Sequence, residues 1–280
     1  MIDLHLHTTA SDGRCTPREL VSAGHAAGLT TLSVADHDTV GALDEAGAAC
    51  GERDLRFVPG IEITSARGPT DIHVLGYFFD RQSAALLAFL ESQRADRVRR
   101  VTEMIDRLRG LGVLVDEADV IGPYGANGGR AIGRPMLARA LVRLGHVPTT
   151  RVAFERYLGE GRAAYVSRRA PSPEDVVGII HEAGGLASLA HPALLGHDEW
   201  IPGIASAGLD AIEVYYSEHS AEDTDRYLSL ARDLGLAVTG GSDYHGSAHH
   251  GPARLGETVL PAEEFERLTE RVRRHEEPFL

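Results

Sequence analysis

The sequence predicts an α/β fold, a seven-stranded barrel that carries a small helical insertion. Three observations lead there. Seven short apolar, β-branched runs alternate with helical patterns. Several of those helices open with clear start signals. Between the fourth and fifth runs lie roughly a hundred residues, far more than one crossover helix needs.

The strand-like runs are Ile2 to His7, Thr31 to Ala35, Phe57 to Ile63, Ile72 to Phe79, Leu186 to Ala190, Ala211 to Tyr215 and Leu236 to Thr239. After the first, Thr16-Pro17-Arg18-Glu19 supplies a cap residue, proline at the first helical position and glutamate three residues past the cap, and Gly28 follows the helix end. Ser172-Pro173-Glu174-Asp175 opens a helix that stops at Gly184-Gly185, and Ser220 to Asp223 opens another running toward Leu234-Gly235. Strand and helix in alternation imply a largely parallel sheet, and seven units favour a barrel over an open sheet. One connection breaks the pattern. Ser65 to Thr70 is too short for a parallel crossover, so strands three and four are expected to form an antiparallel hairpin. That places Glu62 and His73 at the same end of the barrel.

The long segment after strand four begins with an amphipathic helix, Ser83 to Arg109, with Leu86, Leu90, Val98, Val101, Ile105 and Leu108 on one stripe. A glycine-rich loop from Gly122 to Gly133, a helix from Pro135 to Leu144 and another near Val152 to Leu158 follow. Residues 97–165 therefore read as a helical insertion, or lid, between barrel segments 1–96 and 166–280.

Composition narrows the function. Hydrophobic content of 43% and charged content of 25% are ordinary for a globular protein. No run approaches the roughly 18 consecutive apolar residues of a membrane span. The N-terminus passes from Met1 straight into Ile2-Asp3-Leu4-His5 without a basic or apolar leader, so the expected compartment is the cytoplasm. Cys15 and Cys50 form no metal-binding or disulfide pattern. All 28 basic residues are arginine, and the net charge of −13 argues against general nucleic-acid binding. The charge is uneven. From Arg94 to Arg169 there are 15 arginines against 8 acids, while the remainder holds 13 against 33. A locally basic insertion on an acidic body suits an anionic substrate. With 6% aromatic residues and a single tryptophan, Trp200, a small anionic substrate fits better than long nucleic acid.

Polar residues gather at the strand ends in a pattern that packing does not require. Strand one supplies His5 and His7, with Asp12 in the next loop; strand two ends at Asp36-His37-Asp38; strand three presents Glu62. His73 opens strand four, His191-Pro192 closes strand five, strand six carries Glu213, and strand seven ends in Ser242-Asp243-Tyr244-His245. Reactive groups in barrels of this kind collect at the C-terminal face. His5 and His7, two apart on a strand, point to the same side. Imidazole and carboxylate without thiolate suit Mn²⁺, Fe²⁺ or Zn²⁺ better than Mg²⁺ or Ca²⁺, and so many candidates exceed the needs of one ion. By contrast His25, His146, His181 and His275 lie on helices or loops, where hydrogen-bonded structural roles are expected, and His197, His249 and His250 are loop residues with no assigned role.

Asp3-Leu4-His5-Leu6-His7 with Ser11-Asp12-Gly13 and Thr16-Pro17-Arg18-Glu19-Leu20 resembles the opening motif of the PHP (polymerase and histidinol phosphatase) superfamily. Ala35-Asp36-His37-Asp38, Gly60-Ile61-Glu62, Ile72-His73-Val74-Leu75-Gly76-Tyr77, Leu189-Ala190-His191-Pro192 and Gly241-Ser242-Asp243-Tyr244-His245-Gly246 resemble its later motifs in order. Gly133-Arg134-Pro135 lies in an insertion similar to that of the stand-alone phosphoesterases, the branch of 3′,5′-nucleoside bisphosphate phosphatases and 5′-to-3′ exoribonucleases. The resemblance implies a distorted (β/α)₇ barrel and a hydrolase of phosphoric esters that uses three divalent ions, with Mn²⁺ expected and Zn²⁺ or Fe²⁺ as alternatives. It implies one ion on His5, His7, Glu62 and Asp243, a second on Glu62, His73 and His191, and a third on Asp12, His37 and His245. Relatives commonly read Gly-Arg-Pro-His where this chain has Met136, so one substrate contact is expected to differ.

The charge balance agrees with phosphoester chemistry. Three divalent ions outweigh the carboxylates Asp12, Glu62 and Asp243, leaving a positive pocket for a phosphate. Bound ions lower the pKa of water from about 16 toward 7 and neutralise charge in the transition state. Arg134 at the start of an insertion helix, and Arg130 in the glycine-rich loop, are candidate phosphate contacts. His219, just past strand six, is a candidate acid for the departing oxygen, with a helix-capping or surface role as the alternative. The rival readings are hydrolysis of another small phosphate monoester or cyclic phosphodiester, and an inactive metal-binding module.

Overall fold

The computed structural model describes residues 1–120, 132–246 and 254–276. They divide into two compact units, Met1–Phe89 with Ala170–Leu280, and Leu90–Arg169.

The first unit is built on seven strands: β1 (Ile2–Leu6), β2 (Thr31–Val34), β3 (Arg56–Arg67), β4 (Thr70–Tyr77), β5 (Leu186–Leu189), β6 (Ala211–Tyr216) and β7 (Ala237–Gly241). They follow one another in spatial order β1 to β7. β1–β2–β3 and β5–β6–β7 run parallel, and β4 is antiparallel to both of its neighbours. The sheet all but closes into a barrel. His7 N–H donates to Tyr244 O (3.0 Å) and Asp243 N–H to His5 O (2.8 Å), joining the chain after β7 to β1. Gly241 allows this approach, since a Cβ there would lie 2.4 Å from the His5 nitrogen.

The expected hairpin is present and longer than expected. β3 and β4 pair from Gly60↔Tyr77 to Arg67↔Thr70, so only Gly68 and Pro69 form the turn. The polar Ser65-Ala66-Arg67 looks like a loop in sequence, but pairing continues through it. Gly68 at φ 62°, a backbone region open to glycine, reverses the chain tightly. Glu62 and Thr64 consequently lie opposite Leu75 and His73.

Helices α1 (Pro17–Ala26) and α2 (Leu43–Gly51) follow β1 and β2. Thr16 and Glu19 close a capping box at α1, a device worth about 1 kcal/mol. The same box recurs with Ser172 and Asp175 at α7 (Pro173–Glu182), and with Ser220 and Asp223 at α10 (Ala221–Leu234). Short α8 (Pro192–Leu195) and α9 (Ile201–Ser206) follow β5, and α11 (Ala262–Glu276) follows β7. No helix among the described residues is long and apolar enough to cross a membrane.

The second unit takes in most of α3 (Ala84–Gly110) and all of α4 (Glu117–Val120), α5 (Arg134–Arg143) and α6 (Thr150–Ala153), followed by a single π-helical turn, Phe154–Leu158. It has its own core, in which Val101, Met104, Ile105 and Leu108 of α3 meet Met136, Leu137 and Leu141 of α5. Met136 is 3% exposed. The residue that departs from the Gly-Arg-Pro-His pattern thus packs as a core side chain.

Candidate metal centre

Nine side chains singled out in the sequence meet at one end of the barrel. His5 lies on β1 and His7 directly follows its last residue, both fully buried. Their alternation along the strand turns both rings inward, with centroids 5.1 Å apart. Asp12 comes from the loop after β1, His37 from just beyond β2, Glu62 from β3, His73 from β4, His191 from just beyond β5, and Asp243 and His245 from beyond β7.

Glu62, 1% exposed, occupies the centre. Its two oxygens face different imidazoles. Oε1 lies 2.7 Å from His73 Nδ1 and 3.2 Å from His191 Nε2. Oε2 lies 3.0 Å from His37 Nδ1, 3.3 Å from His7 Nε2 and 3.4 Å from His5 Nε2. Asp243 Oδ1 approaches His7 Nε2 at 2.9 Å and His5 Nε2 at 3.5 Å. Asp12 Oδ1 stands 3.2 Å from His245 Nε2, and its Oδ2 lies 3.9 Å from His37 Nε2.

Three overlapping groups bring their donor atoms within 4.8 Å of one another: His7, Asp12, His37 and His245; His5, His7 and Asp243; and His37, Glu62 and His73. Buried polar atoms normally find hydrogen-bond partners. Here His5 Nε2, both ring nitrogens of His7, His37 Nδ1 and Asp243 Oδ1 are buried and make no hydrogen bond. Lone pairs that converge in a buried pocket without hydrogen bonds are what a bound cation satisfies. The donor set of imidazole and carboxylate fits divalent first-row metals.

The electrostatics of the pocket follow from this crowding. Burial opposes charge on Glu62, yet His37, His73 and His5 hold its carboxyl well below the usual carboxylate range. Asp12 and Asp243 are lowered against burial in the same way, Asp12 by His37 and His245, Asp243 by His5 and His7. Burial works against charge on His7 too, but the neighbouring carboxylates of Asp243 and Glu62 push it up to about 10. His73 goes the other way, lowered chiefly by burial.

A further set of carboxylates braces the pocket. Asp36, 2% exposed, accepts Thr8 N–H (2.8 Å), the Thr8 hydroxyl (2.6 Å) and the Ser11 hydroxyl (2.5 Å), fixing the loop that carries Asp12. Asp3 accepts the N–H groups of His5 and Ser242, tying β1 to the segment before Asp243. Asp38 accepts Thr64 N–H beside the β3 site. Glu213 likewise belongs to none of these groups of donor atoms. It bonds His5 Nδ1 (2.9 Å) and His191 N–H (2.7 Å). The hydroxyl of Tyr216, a residue the sequence did not single out, donates to Asp243 Oδ2 at 3.1 Å. Backbone strain gathers here as well, because Asp38, His191 and Asp243 all have positive φ.

The remaining candidates fall elsewhere. His219 has Nδ1 2.8 Å from Val214 O, and its Nε2 accepts Ala193 N–H at 3.4 Å. Its ring sits 5.2 Å from that of Tyr216, which in turn sits 5.4 Å from His191. Both nitrogens are engaged, which supports a local structural role over that of an acid. Within the inserted unit, Arg134 opens α5 with its guanidinium over the rings of Phe154 and Tyr165, 5.9 and 5.8 Å from their centroids. Arg130, His249 and His250 lie outside the described residues, as does the side chain of His275. His146 and His181 make structural bonds, to Leu114 O and to Asp210.

The PHP domain model matches residues 3–123 of this chain. A 3′,5′-nucleoside bisphosphate phosphatase of Chromobacterium violaceum is 35% identical over 260 residues, 89% of each chain. The chain belongs to the PHP family. This PHP protein is also 32% identical to a 5′-3′ exoribonuclease of Haemophilus influenzae, over 87% of this chain and 89% of the relative. A solved structure from Bifidobacterium adolescentis, regarded as a metal-dependent phosphoesterase, superposes with a TM-score of 0.87 at 32% identity, covering 96% of both chains. The PHP chain described here is accordingly a hydrolase of phosphoester bonds, a metal-dependent phosphoesterase whose His, Asp and Glu clusters are able to bind metal.

Proposed function

We propose that the protein removes a phosphate from a small nucleotide such as a 3′,5′-nucleoside bisphosphate, using three divalent ions, with Mn²⁺ first among the candidates. The observation that carries the reading is the Glu62 carboxylate, whose two oxygens face separate sets of imidazoles. That arrangement suits a bridge between two ions. The proposed ligands are His5, His7, Asp12, His37, Glu62, His73, His191, Asp243 and His245. Bound divalent ions supply charge stabilisation and a nucleophilic water at neutral pH.

The chain's own groups do the rest. Imidazoles outnumber carboxylates six to three among these residues, which keeps the loaded pocket cationic and favours a phosphate dianion. Buried His5, His7 and Glu62 leave the donor atoms little freedom, so the pocket is organised before substrate arrives. On sequence grounds Arg134 is proposed to bind a substrate phosphate with its planar fork, and Arg130 to assist.

The substrate class rests on relatives whose names are nucleoside bisphosphate phosphatase and exoribonuclease, and on the acidic, aromatic-poor composition. Trimming of short 5′-phosphorylated oligonucleotides belongs to the same proposal. The test is a panel of adenosine 3′,5′-bisphosphate, 5′-phosphorylated RNAs of two to twelve nucleotides, cyclic phosphates and histidinol phosphate, each with Mn²⁺. The bisphosphate should give the highest kcat/KM, with no gain beyond a few nucleotides and a shallow salt dependence. Affinity rising out to ten or more nucleotides would replace this reading with a processive exonuclease. A faster cyclic phosphate or histidinol phosphate would move it to another phosphoesterase, and metal uptake without any hydrolysis would leave a binding module.

A further inference from the structure

β6 supplies none of the nine proposed ligands, yet one of its side chains touches two of them. Glu213 is fully buried. Its Oε1 lies 2.9 Å from His5 Nδ1, and its Oε2 accepts His191 N–H at 2.7 Å. A carboxylate accepts and does not donate, so the imidazole hydrogen of His5 resides on Nδ1 in this contact. The Nε2 lone pair is left for the pocket. That atom is buried without a hydrogen bond, 3.4 Å from Glu62 Oε2 and 3.5 Å from Asp243 Oδ1.

The second contact acts on backbone. His191 has φ 28° and ψ 60°, a conformation that residues with side chains adopt only when their surroundings impose it. The Glu213 bond to its N–H is one such restraint, and Ala190 N–H donating to His73 O (3.0 Å) is another. The resulting turn aims His191 Nε2 at Glu62 Oε1, 3.2 Å away. Glu213 therefore acts on both sides of the Glu62 carboxylate, through His5 on one oxygen and His191 on the other.

We infer that Glu213 is a positioning residue that sets the tautomer of His5 and the backbone of His191 together, so that one buried side chain governs metal affinity on both sides of Glu62. The inference rests on the multi-metal reading above. Carboxylates that orient ligating imidazoles are worth roughly 10- to 100-fold in metal affinity. Glu213→Gln keeps the shape and halves the accepting capacity. If the amide oxygen accepts from His191, the amide NH₂ faces His5 Nδ1 and favours the tautomer with hydrogen on Nε2, which blocks coordination there. If the oxygen accepts from His5, the NH₂ opposes His191 N–H.

The experiment compares the full-length parent and Glu213→Gln after chelator treatment. Zn²⁺ uptake is followed by calorimetry with an elemental count, thermal melts are taken with and without Zn²⁺, and imidazole tautomers are read by long-range ¹H–¹⁵N NMR of the Zn²⁺-loaded parent. The expected results are His5 hydrogen on Nδ1 in the parent, and uptake by Glu213→Gln weaker by roughly 10- to 100-fold. The Zn²⁺-induced rise in Tm should shrink with it. A residue with a merely structural role would lower both melts equally and leave uptake unchanged, and that result overturns the inference. So does His5 hydrogen on Nε2 in the parent, a reading that does not depend on the variant folding. A parent that takes up no metal sinks the multi-metal reading itself, and this inference with it.

Discussion

Replacing Glu62 by glutamine keeps the shape of the side chain and removes its charge. In the structure that charge lies 2.7 Å from His73 Nδ1 and 3.0 Å from His37 Nδ1, on opposite oxygens. Loss of one partner from a buried charged set typically costs about 3–5 kcal/mol. At 1.4 kcal/mol per decade this corresponds to roughly 10²- to 10⁴-fold in metal affinity. The loss should persist in kcat/KM at saturating Mn²⁺, because the amide keeps one good acceptor oxygen where a bridge needs two. The assay is steady-state hydrolysis of adenosine 3′,5′-bisphosphate across a Mn²⁺ titration, with metal counted per folded chain. A Glu62→Gln protein within tenfold of the parent, with its full metal complement, refutes the bridging role.

Metal uptake should release protons. His7 is pushed up to about 10 against burial by Asp243 and Glu62, so the unloaded pocket holds a protonated imidazole at neutral pH. A metal binds only the deprotonated ring, hence affinity should rise between pH 6 and 8, by up to a decade per unit for each proton displaced. Calorimetry in buffers of different ionisation enthalpy measures that release; none at pH 7 contradicts the electrostatics described. Arg134→Ala should lower kcat/KM by roughly 10- to 150-fold with metal content unchanged, and Arg134→Lys should recover only part, since lysine lacks the planar fork. Parent-like kinetics in Arg134→Ala would remove this residue from phosphate binding. Gly241→Ala should push β7 off β1, because its Cβ would sit 2.4 Å from His5 N. A fall in Tm together with weaker metal uptake is expected, and an unchanged melt would mean that the strand seam is looser than it looks.

Much of the site was legible in the sequence because its signals are local. Two histidines two apart on a strand must share a face, and the short Ser65–Thr70 connection forces the hairpin that brings Glu62 and His73 to the same end of the barrel. The cap sequences marked their helices for the same reason. What stayed hidden depends on contacts between distant residues. Glu213 read only as one more polar residue among those at the strand ends, and its bond to a residue 208 positions away reveals a brace. Tyr216 carried no signal at all, since a tyrosine at the end of a β-branched strand reads as packing. Met136 read as a missing polar contact, whereas the structure buries it in the core of the inserted unit. His219 had two readings that no local pattern separates, and the partners of its two nitrogens favour the structural one.

The central claim is that one pocket, organised around Glu62, holds several divalent ions. Elemental analysis of the purified protein after growth with Mn²⁺ or Zn²⁺ tests it most directly, with the fold checked by circular dichroism on the same sample. Two to three metal atoms per chain are predicted, falling in the Glu62→Gln protein. Fewer than one per chain in a folded parent would contradict the account.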